Sequence, residues 1–212
     1  MIVYDCEIIK GIAKKDEERL PDIEYCEGWR DFSNMGISTI CAYDFNTRRY
    51  HVFLKDNFEQ FQKLVDETEL IIGFNSLAFD NPLCRANGIN VPDEKSWDLL
   101  VEIWAGAGLS RTFEYPTHVG FSLDACSEAN FGTKKSGNGA LAPVDWQRGK
   151  YGTVIDYCVN DIKLTKELVT LVIEIGGIWD PRTPGQRIDI APPQLPQPLE
   201  PQTCENCESC QA

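Results

Sequence analysis

The sequence predicts an α/β domain in which a mixed sheet is flanked by helices. The segment "ELIIGF", residues 69–74, is short and almost wholly apolar, as is typical of a parallel strand covered on both faces. Two strand-like segments, "GISTICAYD" and "RRYHVFL", are joined by a short turn and predict an antiparallel hairpin. Apolar residues recur at helical spacing in the segments that follow. Strands and helices that succeed one another in this way indicate helices packed on a sheet.

The elements can be assigned in chain order. Strands are predicted for residues 1–9, 36–44, 48–54 and 69–74. Helices are predicted for residues 56–68, 81–87, 96–106, 122–132 and 153–175. Ser96 or Asp98 is expected to cap the third helix, and a Thr153–Asp156 capping box is expected to begin the last one.

Two segments differ from this pattern. Residues 10–35 are polar and irregular, which indicates an insertion, and from Pro181 onward proline is frequent and aromatic residues are absent. Such a composition is typical of an extended or disordered tail. We therefore predict a domain over residues 1–178, with its insertion at 10–35, and a Pro-rich, Cys-containing tail over 179–212.

Composition sets limits on the class of protein. The chain has 212 residues and a net charge of −13, which argues against a protein that coats nucleic acid but not against a metal-dependent enzyme. No secretory leader and no apolar run of membrane-spanning length are visible, so a cytoplasmic location is expected. Six of the nine cysteines are scattered singly and are interpreted as reduced core residues.

The first strand carries two carboxylates in an apolar setting. Asp5 and Glu7 interrupt "IVYDCEII", and residues two apart in a strand share a face. They could be exposed acids on an edge strand, but the apolar neighbours favour a central strand. A divalent cation would offset the unfavourable burial of the two charges, because carboxylates are natural ligands of Mg²⁺ and Mn²⁺.

Two more acids follow at informative positions. Asp80 comes a few residues after the strand "ELIIGF", where open α/β sheets gather functional residues, although it could equally be a helix N-cap. Tyr157 and Asp161 are four residues apart in the last predicted helix, so they project from one side. Asp161 lies on the same helix face as Leu164 and Leu168, so it is expected to face the packed interior of the protein.

Together, D-x-E in the first strand, N-x-x-x-F-D after a later strand and Y-x-x-x-D in a late helix resemble the three motifs of the DEDD 3′–5′ exonuclease superfamily. The resemblance spans about residues 1–175 and is closest to proofreading-type exonuclease domains of family B DNA polymerases and their free-standing relatives. It indicates the tyrosine subgroup, because the histidine subgroup would have His where this chain has Asp156.

The resemblance implies a three-layer ribonuclease H-like fold with a mixed five-stranded sheet. It implies that Asp5, Glu7, Asp80 and Asp161 hold two divalent ions, Mg²⁺ or Mn²⁺, and that Tyr157 orients the attacking water. The expected reaction releases nucleoside 5′-monophosphates from a single-stranded 3′ end, with DNA favoured over RNA. The resemblance also indicates Asn75 and Phe79 beside the site, where Phe79 could contact a terminal base or simply pack in the core. Lys134, Lys135, Arg148 and Lys150, in the loop before the last helix, are predicted to contact phosphates, although each could equally be an ordinary solvated side chain.

Two alternatives remain open at this point. A ribonuclease H-like endonuclease would share the first strand but has no need of Tyr157, and an inactive module that binds nucleic acid or a replication protein would not need all four acids. At the chain end, Cys204, Cys207 and Cys210 have C-x-x-C-x-x-C spacing, which suggests Zn²⁺ or an iron–sulfur cluster. Three ligands are incomplete, and the tail could instead be unstructured or dock a replication or repair protein.

Overall fold

The computed structural model describes residues 1–13, 18–133 and 139–194. Its strands are β1 (Ile2–Ile8), β2 (Gly11–Ile12), β3 (Tyr25–Cys26), β4 (Ile37–Asp44), β5 (Arg49–Phe53), β6 (Ile71–Gly73), β7 (Ser96–Asp98), β8 (Gly177–Trp179) and β9 (Arg187–Asp189). Its helices are α1 (Phe32–Met35), α2 (Phe58–Asp66), α3 (Asp80–Ala86), α4 (Leu99–Gly106), α5 (Leu123–Phe131), α6 (Ala142–Gln147) and α7 (Tyr151–Ile175).

Five strands form a mixed sheet in the order β5-β4-β1-β6-β7. The β4–β5 hairpin and the β1–β4 pair are antiparallel, whereas β6 and β7 extend the sheet in parallel with β1. The carboxyl ends of β1, β6 and β7 therefore lie at one edge of the sheet. The predicted mixed five-stranded sheet flanked by helices is confirmed.

Alternation along β1 divides the core into two layers. Ile2, Tyr4 and Cys6 pack with residues of α2 and α3 on one face. Val3 packs with residues of α4, α5 and α7 on the other face. Because Asp5 and Glu7 follow Val3 at two-residue spacing, they belong to the face covered by α7.

The two predictions of helix caps have different outcomes. Asp98 caps α4, as one of the two expected alternatives, and Ser96 lies in β7. The Thr153–Asp156 capping box is wrong: α7 begins at Tyr151, and its N-cap Lys150 makes no side-chain capping hydrogen bond.

The chain also stays ordered beyond the predicted limit. The expectation of an extended tail from Pro181 is wrong for residues 187–190, because β9 pairs antiparallel with β8 and Ile188 and Ile190 are buried in the core. Alternating apolar residues let this short strand cover the end of the α7 layer.

The predicted insertion is likewise folded in its described part. β2 and β3 pair in parallel, and Ile23, Cys26 and Met35 are buried. Among the described residues, none of the helices combines the length and apolar composition needed to cross a bilayer. Lys134, Lys135 and the three C-terminal cysteines lie outside the described residues.

Candidate active site

The acids of β1 face the first half of α7. Ligand atoms of Asp5, Glu7 and Cys158 all lie within 4.8 Å of one another. Glu7 is only 8% exposed, and Cys158 Sγ lies 3.4 Å from Oδ2 of Asp5. Two carboxylates and a thiol thus share a small, largely buried space between the sheet and the helix.

Asp80 joins these acids from the opposite layer. It is the first residue of α3, it is buried, and its Oδ1 accepts a 3.1 Å hydrogen bond from the backbone N–H of Cys6. Burial first, and then the negative charge of Asp5, hold the pKa of Asp80 well above its usual range. A carboxylate in this position would be stabilised in its charged form by a cation.

Tyr157 and Asp161 lie on α7 beside Cys158. Residues three and four apart share a helix face, so Asp161 lies on the face that brings Cys158 to Asp5. Asp161 is 5% exposed, and helical geometry tilts its side chain toward the turn that holds Tyr157 and Cys158. β1 and α3 therefore bring Asp80 close to Asp5, and α7 places Asp161 one turn beyond Cys158, which contacts Asp5.

The hydroxyl of Tyr157 approaches the segment that precedes α6. A Cβ atom built on Gly139 would lie 2.9 Å from this hydroxyl oxygen. A side chain at position 139 would displace the tyrosine, so glycine allows the backbone to approach the phenol closely.

Sequence reasoning assigned Asp98 only a capping role, which understates its contacts. Its Oδ1 accepts hydrogen bonds from the backbone N–H groups of Asn75 (2.8 Å) and Leu100 (3.0 Å), and its Oδ2 accepts one from Leu77 (3.0 Å). Asn75 has a left-handed backbone, with φ of 66°. Asp98 therefore shapes the loop that leads to Asp80. The sequence pattern predicts a helix over residues 96–98, whereas these residues form the strand β7, so the pattern offers no signal for this role.

Two aromatic residues of the predicted insertion surround Phe79. The ring centroids of Trp29 and Phe32 lie 6.1 and 5.8 Å from that of Phe79, both in edge-on geometry. Phe79 is half-buried and directly precedes Asp80. No periodic pattern in the sequence links Trp29 to this site.

The predicted cationic contacts have other partners. The Arg148 guanidinium binds the carboxylate of Asp22, with Nε 3.0 Å from Oδ2 and Nη2 3.2 Å from Oδ1. This hydrogen bond lowers the pKa of Asp22 and raises that of Arg148. The Nζ atom of Lys150 lies 2.8 Å from Oδ1 of Asp145. Both cations are thus engaged within the protein, and their contact with phosphates remains a prediction.

The donor set fits a hard divalent cation. The acids offer carboxylate oxygens, which suit Mg²⁺ and Mn²⁺. The raised pKa of Asp80 is itself a sign of negative charge concentrated in a poorly solvated place.

Comparison with known proteins finds similarity in fold but not in sequence. No protein-family model and no curated protein sequence matches the chain. The fold is similar to that of the family B DNA polymerase from the hyperthermophilic archaeon Pyrobaculum calidifontis, with a TM-score of 0.55 and 14% identity. The match covers 81% of this chain and 24% of the polymerase, so the chain spans about a quarter of that protein's length. At this identity the similarity shows the fold alone, a ribonuclease H-like α/β sheet flanked by helices, as the sequence predicted.

Proposed function

We propose that the protein is a metal-dependent 3′–5′ exonuclease of the DEDD tyrosine type that acts on single-stranded nucleic acid, with DNA favoured over RNA. The observation that carries this proposal is the hydrogen bond from Cys6 to Asp80, which ties the acid of α3 to the strand that bears Asp5 and Glu7. Cys158, one helical turn from Asp161, contacts Asp5 from the other side.

Asp5, Glu7, Asp80 and Asp161 would hold the ions. When bound, two such ions lower the pKa of an attacking water and offset the charge that develops on the phosphate and the leaving oxygen. The four carboxylates would bind these ions and hold them in position, and Glu7, Asp80 and Asp161 are largely buried. Without a cation, the same acids would repel a phosphodiester.

Tyr157 would position the nucleophile. A free phenol has a pKa of about 10, so a neutral hydroxyl that accepts or donates a hydrogen bond is the suitable state near neutral pH. The close backbone at Gly139 supports a fixed orientation of this hydroxyl. Phe79 and Asn75, both in the loop that precedes α3, would then contact the terminal nucleotide.

The decisive experiment compares linear and circular substrates. In Mg²⁺ or Mn²⁺ the protein should release mononucleotides from 5′-labelled linear DNA and leave single-stranded and nicked circles uncut, apart from digestion at the nick. Matched RNA would establish the preference. Asp5→Ala and Asp161→Ala should abolish release. Cutting of intact circles would favour an endonuclease, and binding without any metal-dependent cleavage would favour the inactive module.

A further inference from the structure

The predicted insertion presents an aromatic residue on a rigid turn. Residues 28–31 form a turn in which the Asp31 N–H donates to the Gly28 carbonyl at 3.0 Å. The Asp31 carboxylate accepts hydrogen bonds from the Glu27 N–H at 2.9 Å and from Asn34 Nδ2 at 2.8 Å. Trp29 and Arg30 occupy the two central positions, and Trp29 is 70% exposed.

The segment that carries this turn is fixed on both sides of the proposed active site. On one side, Trp29 and Phe32 pack edge-on against Phe79, next to Asp80. On the other side, Gln147 at the end of α6 accepts from the Glu24 N–H at 2.7 Å and donates to the Ile9 carbonyl at 2.8 Å. The Asp22–Arg148 ion pair adds a second link to the segment before α7. Trp29 is therefore held against Phe79, the residue that precedes Asp80, on a segment that is anchored at both ends.

We infer that Trp29 stacks on the base of the 3′-terminal nucleotide, with Phe79 as the adjoining wall. Edge-on packing against Phe79 fixes the indole while leaving most of its surface open to solvent. Aromatic faces bind the bases of single strands without regard to sequence, which suits an enzyme that must accept any 3′ end. This inference rests on the proposed function for the identity of the ligand.

The alternative role of Trp29 is purely structural, as an apolar staple between the turn and α3. The two roles predict different results. A staple affects the stability of the fold, whereas a stacking residue affects the binding of a terminal base and leaves the unfolding temperature unchanged.

Binding can be measured without cleavage. Fluorescence anisotropy of 5′-fluorescein-labelled single-stranded DNA in Mg²⁺, with Asp161→Asn as the background, compares two 3′ ends: a normal nucleotide and an abasic one. Trp29→Ala should weaken binding of the normal end about tenfold, and Trp29→Phe should retain most of it. When Trp29 is present, the abasic end should bind more weakly than the normal end by a similar factor. In Trp29→Ala, the normal and the abasic ends should bind equally well.

Trp179→Ala is the matched control. Trp179 is 47% exposed and follows the opposite end of α7 from Tyr157, so its loss should leave binding unchanged. The inference would be overturned if Trp29→Ala bound the normal end as tightly as the background protein does. It would also be overturned if the abasic end still weakened binding in Trp29→Ala, or if neither end bound at all. Trp29-dependent binding with no cleavage by the unmodified protein would reject the exonuclease activity and leave the stacking site intact. Cleavage that is unchanged in Trp29→Ala would support the exonuclease activity and reject the stacking site.

Discussion

The backbone N–H of Cys6 donates a hydrogen bond to Oδ1 of Asp80 across a separation of 74 residues. This donor lies between the two acids of β1, so the position of Asp80 is fixed by the strand that carries its expected co-ligands. Burial first, and then the negative charge of Asp5, raise the pKa of this carboxyl.

The first prediction concerns pH and stability. Because the pKa of Asp80 is raised on folding, the unfolded state loses this proton at about pH 4 while the folded state keeps it. The contribution of Asp80 to stability is therefore full below that pH, and it falls as the pH rises toward the raised pKa. In EDTA, the free energy of unfolding of Asp80→Asn relative to the unmodified protein should increase over this range, as measured by urea denaturation. A difference in the free energy of unfolding that does not change with pH would contradict a raised pKa of Asp80.

The second prediction concerns metal and stability. A divalent ion that binds the folded state alone stabilises it, by about 2.7 kcal/mol at a concentration of 100 times Kd. Mg²⁺ or Mn²⁺ should raise the unfolding temperature, and EDTA should reverse the shift. Asp5→Asn should lose most of the effect. The control is Asp56→Asn, an exposed acid before α2, which should keep it.

The third prediction concerns the phenol. Tyr157→Phe removes the hydroxyl and keeps the ring, so kcat should fall about 100-fold while KM changes little. Tyr151→Phe serves as the control, because Tyr151 lies on the same helix and is 52% exposed. Steady-state release of mononucleotides measures both constants. Full activity in Tyr157→Phe would remove the tyrosine from the mechanism.

The fourth prediction concerns the loop before Asp80. Asp98→Ala removes the acceptor from three backbone N–H groups and should destabilise the protein by about 2–4 kcal/mol. It should also reduce cleavage, because the Asn75–Asp80 loop loses its anchor. Asp98→Asn, which keeps one acceptor oxygen, should be intermediate in denaturant unfolding. Unchanged stability in Asp98→Ala would show that the loop is held by other contacts.

The sequence was sufficient for features that repeat or stand out locally. The β4–β5 hairpin and the long helix α7 follow from strand-like and helical residue patterns, and β6 follows from its short apolar run. The spacing of Asp5 and Glu7 correctly placed both on one face of β1. Contacts between distant segments could not be obtained in this way. The pairing of Trp29 with Phe79 and the reach of Asp98 to Asn75 depend on tertiary packing, which leaves no regular pattern in one chain.

Short elements were missed for a related reason. β9 has three residues, and it is stabilised by pairing with β8 and by the burial of Ile188 rather than by a strong local preference. The prolines around it dominated the composition and suggested a tail.

The β8–β9 hairpin also bears on where the chain can be shortened. Ile178, Ile188 and Ile190 are each at most 4% exposed, and a Cβ at Gly106 of α4 would lie 2.4 Å from the Asp189 carbonyl oxygen. A polypeptide cut after residue 178 would lose Ile188 and Ile190, expose the apolar residues of α4 and α7 that pack with them, and should aggregate. A polypeptide cut after residue 194 should remain monodisperse.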